Sequence, residues 1–145
     1  MAGDDLEGMA RASIEAFNGA DWQWLRDHCR DGYVYEETGT GRRFEGVEET
    51  IKALEDWKLA APDASGEITR CVVSDQTAVL EIVWRGHQSG ALETGAGTLP
   101  PSGRPFEFWA SMWQRYEQGG LTEERHHLDV LTMMTQLGAV PPPSG

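Results

Sequence analysis

Along the first stretch of chain, Leu6, Met9, Ala10, Ile14 and Phe17 recur at three- and four-residue spacing, with Ser13 on the same stripe. That period predicts a helix over about residues 4–19, opened by Asp4 or Asp5 and stopped by Asn18-Gly19. Asp21 is placed to cap a second helix, about 21–28, that turns Trp24 and Leu25 inward. A third helix, about 47–60, carries Val47, Ile51, Leu54 and Trp57 on one side. Glu48, Glu49, Lys52, Glu55 and Asp56 form its wet side, and Pro62-Asp63 ends it. Between helices two and three, Tyr33–Glu36 reads as a short strand, followed by a turn punctuated by Gly39, Gly41 and Gly46.

From Glu67 the period falls to two. Ile68–Ser74 and Thr77–Arg85 are β-branched runs parted by Asp75-Gln76, a two-residue hairpin signal. Phe106–Tyr116 and Thr122–Met133 are two more long strands, joined at Gly119-Gly120. The predicted sheet thus contains about residues 67–74, 77–86, 105–116 and 121–134. Three helices followed by an antiparallel meander with an extra short strand is an α+β order. We expect one domain over residues 1–138 and a Pro-rich tail, 139–145, that is disordered by composition. Gly86–Arg104 is rich in Gly, Pro, Ser and Thr and too long for a tight hairpin; it is expected as a poorly anchored flap beside a pocket mouth.

Charge narrows the partners. Twelve Lys and Arg stand against 24 Asp and Glu, a formal charge of −12. Neither nucleic acid nor an anionic membrane is expected as a partner, since both need a basic face. No apolar run reaches membrane-spanning length, and Met1–Ala10 lacks the basic and apolar regions of a signal peptide. Cys29 and Cys71 lie far apart with no second pair, so a disulfide framework is not expected and a reducing cytoplasm is. Six Trp, four Phe and three Tyr are enough to fill a small core or to line an apolar cavity for a small hydrophobic molecule.

The candidate chemistry concentrates in Arg125-His126-His127-Leu128-Asp129. Strand alternation puts Arg125, His127 and Asp129 on one face and His126 and Leu128 on the other. Adjacent His126 and His127 point apart and cannot share a metal, and no ligand spacing supports a His87, His127, Asp129 site. Tyr33 and Tyr35 can offer hydroxyls to a carbonyl group. Glu81 shares a face with Val79, Val83 and Arg85, as the solvent side of an alternating strand or as a buried functional acid. Trp84, Trp109, Met112 and Trp113 are core candidates, one face of which lines a cavity.

Several fragments resemble a known family in order and spacing. Trp84-Arg85-Gly86-His87-Gln88-Ser89-Gly90 is similar to the Trp-x-Gly-x-His-Thr-Gly strand end of the SnoaL-like polyketide or ester cyclases. Pro101-Ser102-Gly103-Arg104 resembles their Pro-Thr-Gly-Arg turn, with Ser102 in place of Thr. Gly120-Leu121-Thr122-Glu123-Glu124, Asp129 and Gln136-Leu137-Gly138 resemble their closing pattern, with Arg125 where a Trp is frequent. Tyr35, Gly46, Glu48 and Ile51 fit the strand-turn-helix near the front. The resemblance runs from about Leu6 to Gly138.

It implies the nuclear transport factor 2-like fold shared with ketosteroid isomerase, a cystatin-like α+β barrel in which helices pack on a curved antiparallel sheet to make a cone with an apolar pocket. It also implies a reaction without metal or organic cofactor, an aldol-type ring closure or an isomerisation of a small apolar carbonyl compound. The face carrying Asp129 is expected to look into the cone, with Asp129 as general acid/base, His127 beside it, and Tyr35, Glu81, Trp84, His87, Trp109, Trp113 and Arg125 around the substrate. Two other readings stand beside this one. A limonene-type epoxide hydrolase would draw on Arg125, Asp129 and Glu81 around one water. A non-catalytic domain would bind a hydrophobic ligand or pair with itself across the Phe106–Tyr116 strand; a homodimer is expected.

Overall fold

The computed structural model describes residues 3–94 and 97–141. Three helices come first: α1 (Gly3–Asn18), α2 (Trp22–His28) and, after two strands, α3 (Val47–Ala60). The strands are β1 (Cys29–Glu37), β2 (Arg42–Glu45), β3 (Ser65–Ser74), β4 (Thr77–His87), β5 (Leu92–Thr94), β6 (Gly97–Leu99), β7 (Pro105–Glu117) and β8 (Gly120–Leu128). A last helix, α4 (Val130–Gln136), follows. No described helix is long and apolar enough to cross a membrane.

The helices form where the apolar stripes predict them. Leu6, Ala10, Ile14 and Phe17 are buried along α1, and Asp21 caps α2 by accepting the Trp24 amide. Gly46 opens α3 at φ 88°, a left-handed backbone that a side chain would resist.

Six strands form one sheet in the order β2-β1-β8-β7-β4-β3, antiparallel throughout except for β1 beside β8. β5 and β6 pair separately as a small hairpin. Along β7 the inward residues Phe106, Phe108, Ala110, Met112, Gln114 and Tyr116 alternate with outward Glu107, Trp109, Trp113 and Arg115. Helices cover the inner face, and the core lies between the layers.

Two expectations are corrected here. The predicted strand over 121–134 stops at Leu128, because the Asp129 carboxylate accepts the Thr132 amide and caps α4. The expected loose flap is instead pinned by Gln88, a buried side chain. Its amide nitrogen lies within reach of the Gly90, Leu99 and Pro100 carbonyls, and its oxygen accepts from Ser102 at 2.7 Å. Of the expected disordered tail, residues 142–145 lie outside the described residues.

Candidate active site

An apolar cavity that opens to solvent lies between the layers. Ile14 and Phe17 of α1, Leu54 and Trp57 of α3, and Trp84 of β4 form part of its wall. Phe106, Phe108 and Met112 of β7 add to it, and Leu92 is brought to it by the β5–β6 hairpin. Among the wall residues, Glu124 and His126 carry ionisable acid–base groups, both on β8.

The β7–β8 register explains why these two face inward. Gln114 pairs with Glu124, Met112 with His126 and Ala110 with Leu128, so β8 shares the inward phase of β7. Trp113 pairs with Arg125 and Ser111 with His127, which puts both β8 residues on the outer face. A bulge between Arg115 and Tyr116 sets this phase, leaving Thr122 as the extra residue between Leu121 and Glu123.

Glu124 is held by two donors. The Tyr33 hydroxyl donates to Oε1, and Gln114 Nε2 donates to Oε2 at 3.0 Å. Gln114 also reaches Ser13 Oγ at 2.8 Å and accepts from the Tyr116 hydroxyl at 2.8 Å. Burial raises the Glu124 pKa, and the bonds from Gln114 and Tyr33 oppose the rise without cancelling it.

A second network starts at Glu37, a fully buried carboxylate. Arg42 Nε and Thr40 Oγ1 donate to its Oε1, each at 2.8 Å, and Trp57 Nε1 donates to Oε2 at 2.9 Å. Burial pushes its pKa up, but the bond and charge of Arg42, with Trp57 and Thr40, outweigh burial and hold it below the usual value. The Tyr35 hydroxyl lies 2.9 Å from Glu37 Oε2 and 2.9 Å from His126 Nδ1. Burial lowers the His126 pKa from 6.5 to about 4, with Glu37 opposing and His127 assisting.

The sequence-predicted residues separate into two groups. Tyr35 and Trp84 line the cavity. Asp129, His127, Arg125, Glu81, His87, Trp109 and Trp113 stand outside it. Asp129 is exposed, with Thr132 Oγ1 donating to it at 2.7 Å. His127 bonds Thr38, His87 bonds Asp63, and Glu81 accepts from Thr69. Arg125 lies 3.7 Å from Glu36 and 3.6 Å from Glu123 on the outer face. The Arg125, Asp129 and Glu81 set needed around an epoxide-opening water is therefore not assembled in the cavity. Among the described residues, no group of three His, Cys, Asp or Glu is placed to hold a metal ion.

Sequence reasoning missed Glu124, His126, Glu37 and Gln114. One signal, of charge rather than of hydropathy, pointed to the two on β8. Arg125 is always charged, so the β8 face that carries it is the poorer candidate for a dry cavity.

The family profile of the SnoaL-like polyketide cyclases matches residues 7–137. The chain belongs to that family. No curated protein matches it. Among solved structures, a protein of Jannaschia sp. CCS1 assigned to the SnoaL-like polyketide cyclases superposes with a TM-score of 0.84 at 19% identity, covering 97% of this chain and 95% of that one. IdmH of Streptomyces antibioticus, assigned as a polyketide cyclase, gives 0.77 at 26% identity, covering 92% and 98%. An LEH-like epoxide hydrolase of M. tuberculosis gives 0.71 at 18% identity, covering 93% and 90%. The SnoaL-like chain thus shares its fold with proteins of different assigned activities, and what it does depends on the residues of its cavity wall.

Proposed function

We propose that the chain is a cofactor-independent cyclase or isomerase of a small apolar, polyketide-like carbonyl compound, with Glu124 as its general acid/base. One observation carries this reading: a buried carboxyl group of raised pKa on the wall of an apolar cavity, held by two donors. A higher pKa makes the carboxylate a stronger base toward a carbon acid.

The step needs no outside reagent. Glu124 takes the proton from a carbon beside a carbonyl group, and the C–H electron pair moves into that carbonyl as an enolate. The enolate carbon bonds to a second carbonyl carbon of the same molecule, and the resulting alkoxide recovers the proton from Glu124. In the isomerase form the proton returns to a different carbon. Either way the carboxyl group ends as it began.

The test is deuterium incorporation from D2O into the methyl group of 2-acetylnaphthalene, followed by NMR. Wild-type protein should accelerate exchange, and Glu124→Gln should lose about a hundred- to ten-thousand-fold of that acceleration. Asp129→Asn should keep it. A folded Glu124→Gln protein with undiminished exchange would falsify the assignment. Tight binding without any exchange by the wild type would favour the non-catalytic ligand binder.

We also propose that the chain pairs with itself through the outer sheet face. Trp109 is 53% exposed and Trp113 50%, among Arg85, Glu107, Arg115 and Arg125. Mixed charges around two tryptophans are self-complementary under a two-fold axis. Sedimentation equilibrium should give twice the chain mass, and Trp109→Asp with Trp113→Asp should give the monomer. A monomeric wild type ends the proposal.

A further inference from the structure

Among the described residues His126 is the one imidazole on the cavity wall, and its two ring nitrogens meet different partners. Nε2 lies 3.1 Å from the indole Nε1 of Trp84. An indole N–H can only donate, so Nε2 presents a lone pair and carries no proton. The ring proton therefore sits on Nδ1 and is donated to the Tyr35 hydroxyl oxygen, 2.9 Å away. That assignment leaves the Tyr35 O–H to donate to Glu37 Oε2, also at 2.9 Å. Every donor in the chain points the same way, from Trp84 through His126 and Tyr35 to Glu37. The chain ends on a carboxylate held ionised by Arg42, Thr40 and Trp57. Bonds aligned in this way polarise one another in a low-dielectric interior.

We propose that Glu37 and Tyr35 are positioning residues that lock His126 as a neutral imidazole protonated at Nδ1, so that the cavity wall offers a ligand hydroxyl or enol a fixed acceptor at Nε2. A ligand hydroxyl inserted between the two rings donates its O–H to Nε2 and accepts the Trp84 indole N–H, so neither ring is left unpaired. An oxygen without a proton can accept from Trp84 but leaves the Nε2 lone pair unmet. The site thus selects the hydroxyl or enol form of a ligand at His126, while proton exchange takes place at Glu124. The assignment of the exchanging group rests on the proposed function; the state of the ring does not.

The surroundings agree with a neutral ring. Tyr35 and Glu37 approach from β1 and Trp84 from β4, with Arg42 behind Glu37. On β8 itself, Glu124 shares the inner face and His127 lies on the outer one. The neighbouring wall from α1, α3, β7 and α4 is uncharged, including Phe17, Leu54, Met112 and Met133.

Side-chain 15N NMR of the labelled chain tests the lock without any turnover, with His126 assigned by its loss in His126→Gln. At pH 7 Nδ1 should appear protonated and Nε2 bare, and the pattern should persist to pH 5. A proton on Nε2, or a doubly protonated ring at pH 6, overturns the proposal. Trp84→Phe removes the donor to Nε2, and the Tyr35–Glu37 pair alone should then keep the proton on Nδ1; a mixed or reversed tautomer in that variant also overturns it. Should Trp84→Phe fail to fold, the wild-type spectrum still decides.

For ligand choice, the probes are 2-naphthol and 2-methoxynaphthalene, alike in shape but differing in the O–H donor. The naphthol should bind up to about tenfold tighter and shift the Nε2 resonance, as one hydrogen bond allows. The difference should vanish in His126→Phe. Equal affinity for the two probes in the wild type sinks the acceptor role. Failure of deuterium exchange at Glu124 would leave these readouts standing, so the two proposals fail separately.

Discussion

Gln114 and Glu124 face each other across the β7–β8 ladder, and the amide of the first donates to Oε2 of the second at 3.0 Å. The same amide oxygen satisfies the Tyr116 hydroxyl, so one side chain orients the acid and the buried phenol beside it. Replacing Gln114 by Leu removes a donor to the ionised form of Glu124, and its pKa should climb further. The pH limb of the exchange reaction should move up accordingly. Tyr116 would be left without its acceptor, which should cost about 1–3 kcal/mol in urea unfolding. An unmoved limb would show that Gln114 does not tune Glu124.

Asp129 should behave as a helix cap. Its carboxylate accepts both the amide and the hydroxyl of Thr132 and stands in solvent. Asp129→Ala should destabilise the protein by about 1 kcal/mol, whereas Asn, itself a good cap, should cost less. Exchange per folded molecule should be the same in both. Thermal unfolding and exchange rate measured on one sample check this, and lost exchange in a stable Asn variant would return Asp129 to the chemistry.

The contrast between Asp129 and Glu124 shows what sequence pattern conveys and what it hides. The stripes of α1 and α3, and the alternation of β4 and β7, were legible because each buries hydrocarbon on one side. The fold class followed from them and from the family resemblance. β8 was different. Its inward residues Glu124 and His126 are as polar as outward Glu123, Arg125 and His127, so hydropathy could not say which face is dry. Its phase is fixed by the bulge against Arg115 and Tyr116, a three-dimensional fact. The α4 boundary was hidden for a related reason: Leu131, Met133 and Met134 suit a strand or a helix, and only the cap at Asp129 decides. Glu37, one residue past the strand read over Tyr33–Glu36, gains meaning only when Arg42 and Trp57 fold over it.

Gln88 should control access to the cavity. Its amide ties the carbonyls of Gly90, Leu99 and Pro100 to the end of β4, while its backbone exchanges bonds with Gly103 and Arg104. Gln88→Ala leaves those carbonyls and the Ser102 hydroxyl without that partner. Amides of β5 and β6 should then exchange with D2O faster, and 2-naphthol should dissociate faster. Stability should fall by about 1–3 kcal/mol. Unchanged protection in β5 and β6 would mean that Leu92 burial alone holds the hairpin.

Acid should weaken the fold through His126, and the sign can be worked out. Burial lowers its pKa from 6.5 to about 4 in the folded protein, so the native state resists the proton that the unfolded chain accepts. The stability contributed by keeping this ring neutral is present above pH 6.5 and is lost as pH falls toward 4. At 1.36 kcal/mol per unit, the loss amounts to about 3 kcal/mol. Glu37, with its pKa held down, adds loss of the same sign at lower pH. Glu124 works in the opposite sense, because a raised pKa favours the folded state in acid. A His126→Gln variant removes the first contribution and leaves the other two groups in place. Urea unfolding at pH 7 and pH 4.5 should therefore show a smaller loss for His126→Gln than for the wild type, even though the variant starts from lower stability. Parallel losses in the two proteins would mean that the folded chain takes up the His126 proton as readily as the unfolded one, so that burial does not hold this ring neutral. A smaller loss in the wild type would mean that the ring already carries a proton at neutral pH, and the donor chain from Trp84 to Glu37 could not run in the direction given.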